Sequence, residues 1–183
     1  PKVNLKIGKF YKLKIMSNKI FIGLGSNVGN SFQTIKKSIK ILKSDNSINF
    51  ITLSSMYLSK AIGYKDQPDF INAVCFVKSE LSPLLILKKL LNIEHLLGRK
   101  RTFKNAPRRI DLDLLIYENI QQKIDGPPEL VLPHPEMHKR AFVLEPLVEI
   151  QPDCEIPGLG RASDFIKNCK DQEIQLTKEK FSL

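Results

Sequence analysis

Asp111 and Asp113 stand one residue apart in RRIDLDLLIY, residues 108–117, directly after Arg108 and Arg109. The flanking residues are apolar and β-forming, so the run reads as a strand. Side chains alternate between the faces of a strand, and both carboxylates point the same way with Cα atoms roughly 6.5–7 Å apart. The same alternation places Arg109 on the acidic face and Ile110, Leu112, Leu114 and Ile116 on the core side. Two like charges this close on a half-buried strand repel unless a cation or guanidinium stands between them. Hard cations such as Mg²⁺ take carboxylate together with phosphate oxygens, and paired metal sites hold their ions about 3.5–4 Å apart. The spacing therefore suits metal-assisted chemistry on phosphates. A plain salt-bridge ladder with Arg108 and Arg109 is the structural alternative.

Other residues could share such a site. Phe70 and Asn72, two apart in an apolar run, share a strand face, and an amide there needs hydrogen-bond partners. A heteroaromatic ring with an amide-like edge would suit the pair; an Asn satisfied by neighbouring backbone is the alternative. In LPHPEMHKRAFVLEPL, residues 132–147, prolines on both sides of His134 restrict the backbone leading to Arg140 and Phe142, as a functional site or an ordinary rigid turn would require. Glu94 falls inside the apolar arc of a helix, where a carboxylate needs a partner. An ion pair with Arg99 or Arg101 is favoured over direct chemistry. His95 and His138 lack a ligand-spaced companion and are read as surface residues.

These residues need elements to position them. Residues 19–24 read as a strand, and GLGSNVGN, residues 23–30, as a glycine-rich turn into a helix. Asn30 with Gln33 matches a capping box, and Phe32, Ile35, Ile39 and Leu42 recur at helical spacing. The glycine pattern fails the dinucleotide-binding fingerprint at its third position, and no P-loop lysine follows. Residues 50–58 and 69–78 read as strands. Pro83 opens a helix that runs to Leu97 and stops at Gly98. A basic loop then leads into the aspartate strand. The order β-α-β-β-α-β predicts an α+β, ferredoxin-like core, with additional C-terminal elements from residues 142–150 onward.

The chain has 183 residues, 42% of them hydrophobic, which is enough for one domain with its own core. A formal charge of +10 calls for an anionic partner without choosing among phosphates, nucleic acid and acidic surfaces. Lys36, Lys37, Lys40 and Lys43 read as a solvated helix face. Arg99, Lys100, Arg101, Lys104, Arg108 and Arg109 instead crowd the acidic strand. Cys75, Cys154 and Cys169 have no metal-ligand or disulfide-framework spacing, which fits a reducing cytoplasm. No apolar run approaches the ~18 residues of a membrane span. Met16, just before the first strand, is read as the start of a domain over residues 16–160. Residues 1–15 are then an extension, and 161–183 a helical or poorly ordered tail.

Taken together, GLGSNVGN, DQPDFINAV, IEHLLGRKR, PRRIDLDLLIY and LPHPEMHKRAFVLEPL resemble the hydroxymethyl-dihydropterin pyrophosphokinases of folate biosynthesis, in that family's order and spacing. The resemblance implies transfer of pyrophosphate from ATP to 6-hydroxymethyl-7,8-dihydropterin, releasing AMP, with two Mg²⁺ ions held by Asp111 and Asp113. It assigns Arg99, Arg101 and Arg108 to the phosphates as catalytic residues. Glu94, His134 and Arg140 join them on the ATP side. Phe70 and Phe142 would sandwich the pterin, Asn72 would read its edge, and Gly25, Asn27, Ser59 and Ile62 would complete its contacts. Neither nucleic acid nor membrane is implied as a partner; a monomer is expected, with fusion or association with other folate-pathway enzymes left open.

The chain departs from the family pattern in places. It has no Trp, so Phe103 or Asn105 occupies the region of the loop Trp found in the enterobacterial pattern. Lys60 and Ala61 replace a Pro-Pro pair, and Pro135 replaces an aromatic. Two alternatives are an RNA-binding ferredoxin-like module and a Mg²⁺-dependent nucleotide transferase with another acceptor.

Overall fold

A computed structural model describes residues 17–63, 66–100 and 106–179. Met16, the extension before it, Arg101, Phe103 and Asn105 lie outside the described residues. Strand β1 (Asn18–Ser26) runs through the middle of the sheet and is buried from Ile20 onward. Gly23, where the strand and turn readings overlap, and Gly25, expected in the turn, are both strand residues; pairing with a neighbour on each side overrides glycine's weak strand preference. The turn is confined to the residues after Ser26, where Gly29 takes φ 73°. Helix α1 (Ser31–Ser44) begins as its cap predicts, Asn30 Oδ1 accepting from the Gln33 N–H at 3.0 Å.

The strand expected over residues 50–58 is two strands, β2 (Ile48–Leu53) and β3 (Tyr57–Ser59). Ser54 breaks it: its N–H donates to the Val74 carbonyl and its Oγ accepts from the Val74 N–H, both at 2.9 Å. Strand β4 (Phe70–Ser79), helix α2 (Pro83–Leu96) and strand β5 (Asp111–Tyr117) follow. Pro83 sits in the first turn of α2, and Gly98 follows its end at φ 82°. Next come the hairpin β6 (Gln122–Ile124) and β7 (Leu130–Leu132), a 3₁₀ turn (Met137–Lys139) and helix α3 (Ala141–Ile150). A second hairpin, β8 (Glu155–Ile156) and β9 (Gly160–Arg161), leads to helix α4 (Ala162–Ile166). Strand β10 (Ile174–Leu176) is the last element described.

The main sheet has the order β10-β3-β4-β1-β5, with β2 also on β4, and every pairing is antiparallel. Helices α1 and α2 cover one face, where Ile35, Ile39, Ile86 and Leu90 meet Ile20, Ile22, Leu112 and Leu114. Helix α3 covers the other, where Val143, Leu144 and Leu147 meet Phe21, Val74 and Leu115. Each fully buried Ile or Leu contributes roughly 1.5–3 kcal/mol of transfer free energy, so both faces are sealed wherever helices lie.

Three expectations change here. Strict alternation places Ile116 beside Leu112 and Leu114, but the β1–β5 register shifts between Phe21 and Ile22. The additional residue of this bulge turns Ile116 toward α3 and Tyr117 toward the opposite core. Arg109 does not join the acidic face: strand pairing starts at Asp111, and Arg109 is exposed beside Gly98. The segment from residue 161, expected as helix or loose tail, holds a five-residue helix and then β10, three residues that add a strand to the edge of β3. A strand this short carries too little alternation to be read from sequence.

Candidate active site

The sheet is open where α3 begins. There Gly25 lies opposite Asn72 of β4 and Asp111 of β5, and Gly23 opposite Val74 and Asp113. A side-chain carbon at Gly25 would sit 3.3 Å from Asn72 Oδ1 and 3.8 Å from Asp111 Cβ. The missing side chain therefore joins an aromatic and amide wall to the carboxylates in one cavity of 510 Å³. Gly25, Ser59, Ile62, Phe70, Asn72 and Phe142 line one end of it, and Arg108, Asp111, Asp113 and Arg140 the other. A smaller recess of 210 Å³ adds Glu94, Arg99 and His134 around the same carboxylates.

Asn72 is buried, and its Nδ2 donates to Ser59 Oγ at 2.9 Å. That bond turns Oδ1 toward Gly25, where it is an acceptor for a ligand N–H. Asn27 behaves differently from expectation. Its Nδ2 donates to Gln67 Oε1 and the Pro68 carbonyl, and its Oδ1 accepts from the Arg108 N–H. Those bonds clamp three loops together behind the cavity, and Asn27 is not part of the wall.

Asp111 is held by two guanidiniums. Arg108 Nη1 donates to Oδ2 at 2.8 Å, and Arg99 Nη1 donates to Oδ1 and also to Glu94 Oε1. Glu94, 3% exposed, accepts in addition from the Leu112 N–H at 2.8 Å, so it ties α2 to β5 and keeps Arg99 aimed at Asp111. Arg108 also lies over the Phe70 ring at 5.5 Å, linking the two ends of the cavity, while its Nε is buried without a partner among the described residues. A guanidinium N–H left so is a ready donor to an anion.

Asp113 lacks so close a partner. Arg140 Nη1 approaches its Oδ2 at 4.0 Å and also covers the Phe142 ring at 5.8 Å. Burial, and then repulsion from Asp111, push the Asp113 carboxyl up to about 7. His134 is pushed down to about 4 by burial and by the neighbouring Arg140. Its Nδ1 accepts from the Glu136 N–H at 3.2 Å, which leaves Nε2 as the donor of a neutral ring.

The residues fit Mg²⁺. Among the described residues no cluster of three or more His, Cys, Asp and Glu could form a closed cage. Two carboxylates on one face, one of them short of positive charge, suit an ion that completes its shell with phosphate oxygens and water.

Arg101 lies outside the described residues. His95 is exposed as expected, whereas His138 is partly buried, edge-on to Phe165 at 5.7 Å. Gly23 and Lys60, named in the sequence without a site role, also line the cavity, as do Glu136, Lys139 and Gln172, which sequence reasoning did not single out. Glu136 and Lys139 lie within the LPHPEMHKR run and could have been found there; Gln172 carried no signal.

Residues 21–152 match the family model of 7,8-dihydro-6-hydroxymethylpterin-pyrophosphokinase (HPPK). The chain is 36% identical over 154 residues to the Haemophilus influenzae 2-amino-4-hydroxy-6-hydroxymethyldihydropteridine pyrophosphokinase, covering 84% of this chain and 94% of that one. It is 41% identical over 155 residues to the folic acid synthesis protein fol1 of Pneumocystis carinii, of which it spans 20%. The fold is similar to that of wild-type Plasmodium falciparum HPPK-DHPS, with a TM-score of 0.65 at 14% identity over 83% of this chain and 44% of that one. The site geometry, the family match and the near full-length bacterial relative agree: the chain belongs to the 7,8-dihydro-6-hydroxymethylpterin-pyrophosphokinase family.

Proposed function

We propose that this cavity is where pyrophosphate passes from ATP to 6-hydroxymethyl-7,8-dihydropterin, giving AMP and the pterin diphosphate. The observation that carries the reading is the Gly25 register, which sets an aromatic and amide wall beside a carboxylate pair ringed by arginines. The pterin ring stacks between Phe70 and Phe142, its N–H edge facing Asn72 Oδ1, with Ser59, Ile62 and Gly25 around it. The triphosphate lies along Arg99, Arg108 and Arg140, and Arg101 is assigned with them by its match to the family motif. His134 donates to the nucleotide as a neutral ring. Asp111 and Asp113 would hold two Mg²⁺ ions, which supply charge neutralisation along the triphosphate.

The substrate hydroxymethyl oxygen attacks the β-phosphorus. A new oxygen–phosphorus bond forms as the hydroxyl proton is released to solvent, and the bond to the oxygen bridging the α and β phosphorus atoms breaks, that oxygen leaving with AMP. No protein nucleophile is needed, so catalysis rests on alignment and on guanidiniums offsetting charge as it moves. The order β5-β1-β4, with β2 and β3 beyond, and α1 and α2 on one face, supports a ferredoxin-like core. The reading extends to action as a monomer, alone or joined to other enzymes of the pathway. Three buried free cysteines favour the cytoplasm, and among the described residues no helix is long and apolar enough to cross a membrane.

An RNA-recognition module is disfavoured because α3 covers much of the sheet face that such a domain would offer to bases. The reading is tested by following AMP release from ATP and Mg²⁺ with and without hydroxymethyl-dihydropterin. Release that depends on the pterin is expected. ATP cleavage indifferent to the pterin, or an absence of AMP, would overturn it.

A further inference from the structure

Gln172 stands twenty residues beyond the end of the family match at residue 152, yet lines the cavity. We infer that Gln172 is a positioning residue for the wall made by Arg140 and Phe142, an inference that rests on the function proposed above.

Helix α3 starts badly on its own. Its N-cap is Arg140, whose side chain makes no cap hydrogen bond, and the first N–H groups of a helix have no partner within it. Gln172 supplies one from across the fold: its Oε1 accepts from the Ala141 N–H at 2.8 Å. Its Nε2 donates to the Lys139 carbonyl at 2.7 Å. One carboxamide thus grips the backbone on both sides of Arg140, the Ala141 bond immediately before Phe142.

The next residues reach the opposite wall. The Glu173 carbonyl accepts from the Lys60 N–H at 3.4 Å, and β10 pairs with β3, placing Ile174 opposite Ser59. Ser59 is the residue that orients Asn72. The segment 172–176 is therefore a strap joining the Phe142 wall to the Phe70 and Asn72 wall, and it sets the gap into which a flat ring must fit. A helix cap that only stabilised α3 would leave ligand affinity unchanged at temperatures where the protein is folded.

The test uses the full chain with Mg²⁺ and an ATP analogue carrying a methylene between the α and β phosphorus atoms. Hydroxymethylpterin is titrated calorimetrically, and folding is checked by circular dichroism. Gln172→Met, which keeps the bulk and removes both bonds, is expected to weaken pterin binding on the order of tenfold. Gln172→Glu keeps the acceptor for Ala141 and should lose less. Gln172→Met binding the pterin as wild type, with only a lower melting temperature, overturns the inference. Should Gln172→Met not fold, wild-type affinity in Gln172→Glu overturns it instead. A wild-type chain that does not bind the pterin overturns the functional reading and this inference together, whereas normal wild-type binding with unchanged variants overturns this inference alone.

Discussion

Arg108 donates from Nη1 to Asp111 Oδ2 at 2.8 Å while its guanidinium lies over the Phe70 ring at 5.5 Å. This arginine occupies an oxygen that a metal would need, and it touches the face that a pterin would need. Arg99 takes the other oxygen of Asp111. In the proposed reaction both guanidiniums shift from the carboxylate toward phosphate, so cation and nucleotide should bind together better than either does alone.

Arg108→Gln is therefore expected to change sign with conditions. Without nucleotide, freeing Asp111 Oδ2 should raise Mn²⁺ affinity; with ATP present, loss of a phosphate partner should lower nucleotide affinity and turnover. Electron paramagnetic resonance titration of Mn²⁺ with and without ATP reads both arms. Reduced Mn²⁺ affinity in the nucleotide-free variant would contradict the competition.

Asp111→Asn and Asp113→Asn should each lower kcat by several powers of ten, every tenfold being about 1.4 kcal/mol of transition-state stabilisation. Steady-state AMP release checks this, and near-normal rates in both variants would remove the carboxylates from the chemistry.

The raised carboxyl of Asp113 has an opposite effect on stability. Its folded value of about 7 exceeds the ordinary 3.8, so the folded state binds the extra proton and the stabilisation is complete below about pH 4. It is lost as pH rises through 7, which leaves an ionised Asp113 destabilising the free protein at pH 8. Asp113→Asn should consequently melt higher than wild type at pH 8 without metal, and much less so at pH 5. Mg²⁺ with ATP should raise the wild-type midpoint more at pH 8 than at pH 5. A calorimetric midpoint unchanged by Asp113→Asn at pH 8 would refute the assignment.

His134 should stay neutral down to about pH 4, with the proton on Nε2. Because its folded value lies below the ordinary 6.5, the unfolded chain takes up a proton first. The stability this group contributes is present above 6.5 and lost as pH falls toward 4. Nitrogen chemical shifts of the labelled ring would reveal the tautomer; a charged ring at pH 6 would exclude this account.

Phe70→Ala should weaken pterin binding roughly tenfold, about 1.4 kcal/mol, with a smaller effect on ATP, because one face of the stack is lost. Calorimetric affinities for the two ligands make the comparison, and an unchanged pterin value would count against stacking.

Much of this was legible in the sequence because it is local. The Asn30 cap, the Pro83 start and Gly98 stop of α2, and the shared face of Asp111 and Asp113 each follow from backbone geometry over a few residues. The motif set likewise named many of the residues that line the cavity, among them Phe70, Asn72, Arg108, Arg140 and Phe142. Pairing between distant strands decided the rest. Only the sheet made Gly25 a strand residue beneath the cavity, turned Ile116 across the bulge, chose Arg108 over Arg109 for Asp111, and withdrew Asn27 to clamp loops. Gln172 became a wall residue because α3 needed a partner for the Ala141 N–H and the chain brought an amide there from 31 residues away. The chain itself carries such short-range preferences; which backbone groups still lack a partner, and which remote side chain answers them, is settled only when the whole fold closes.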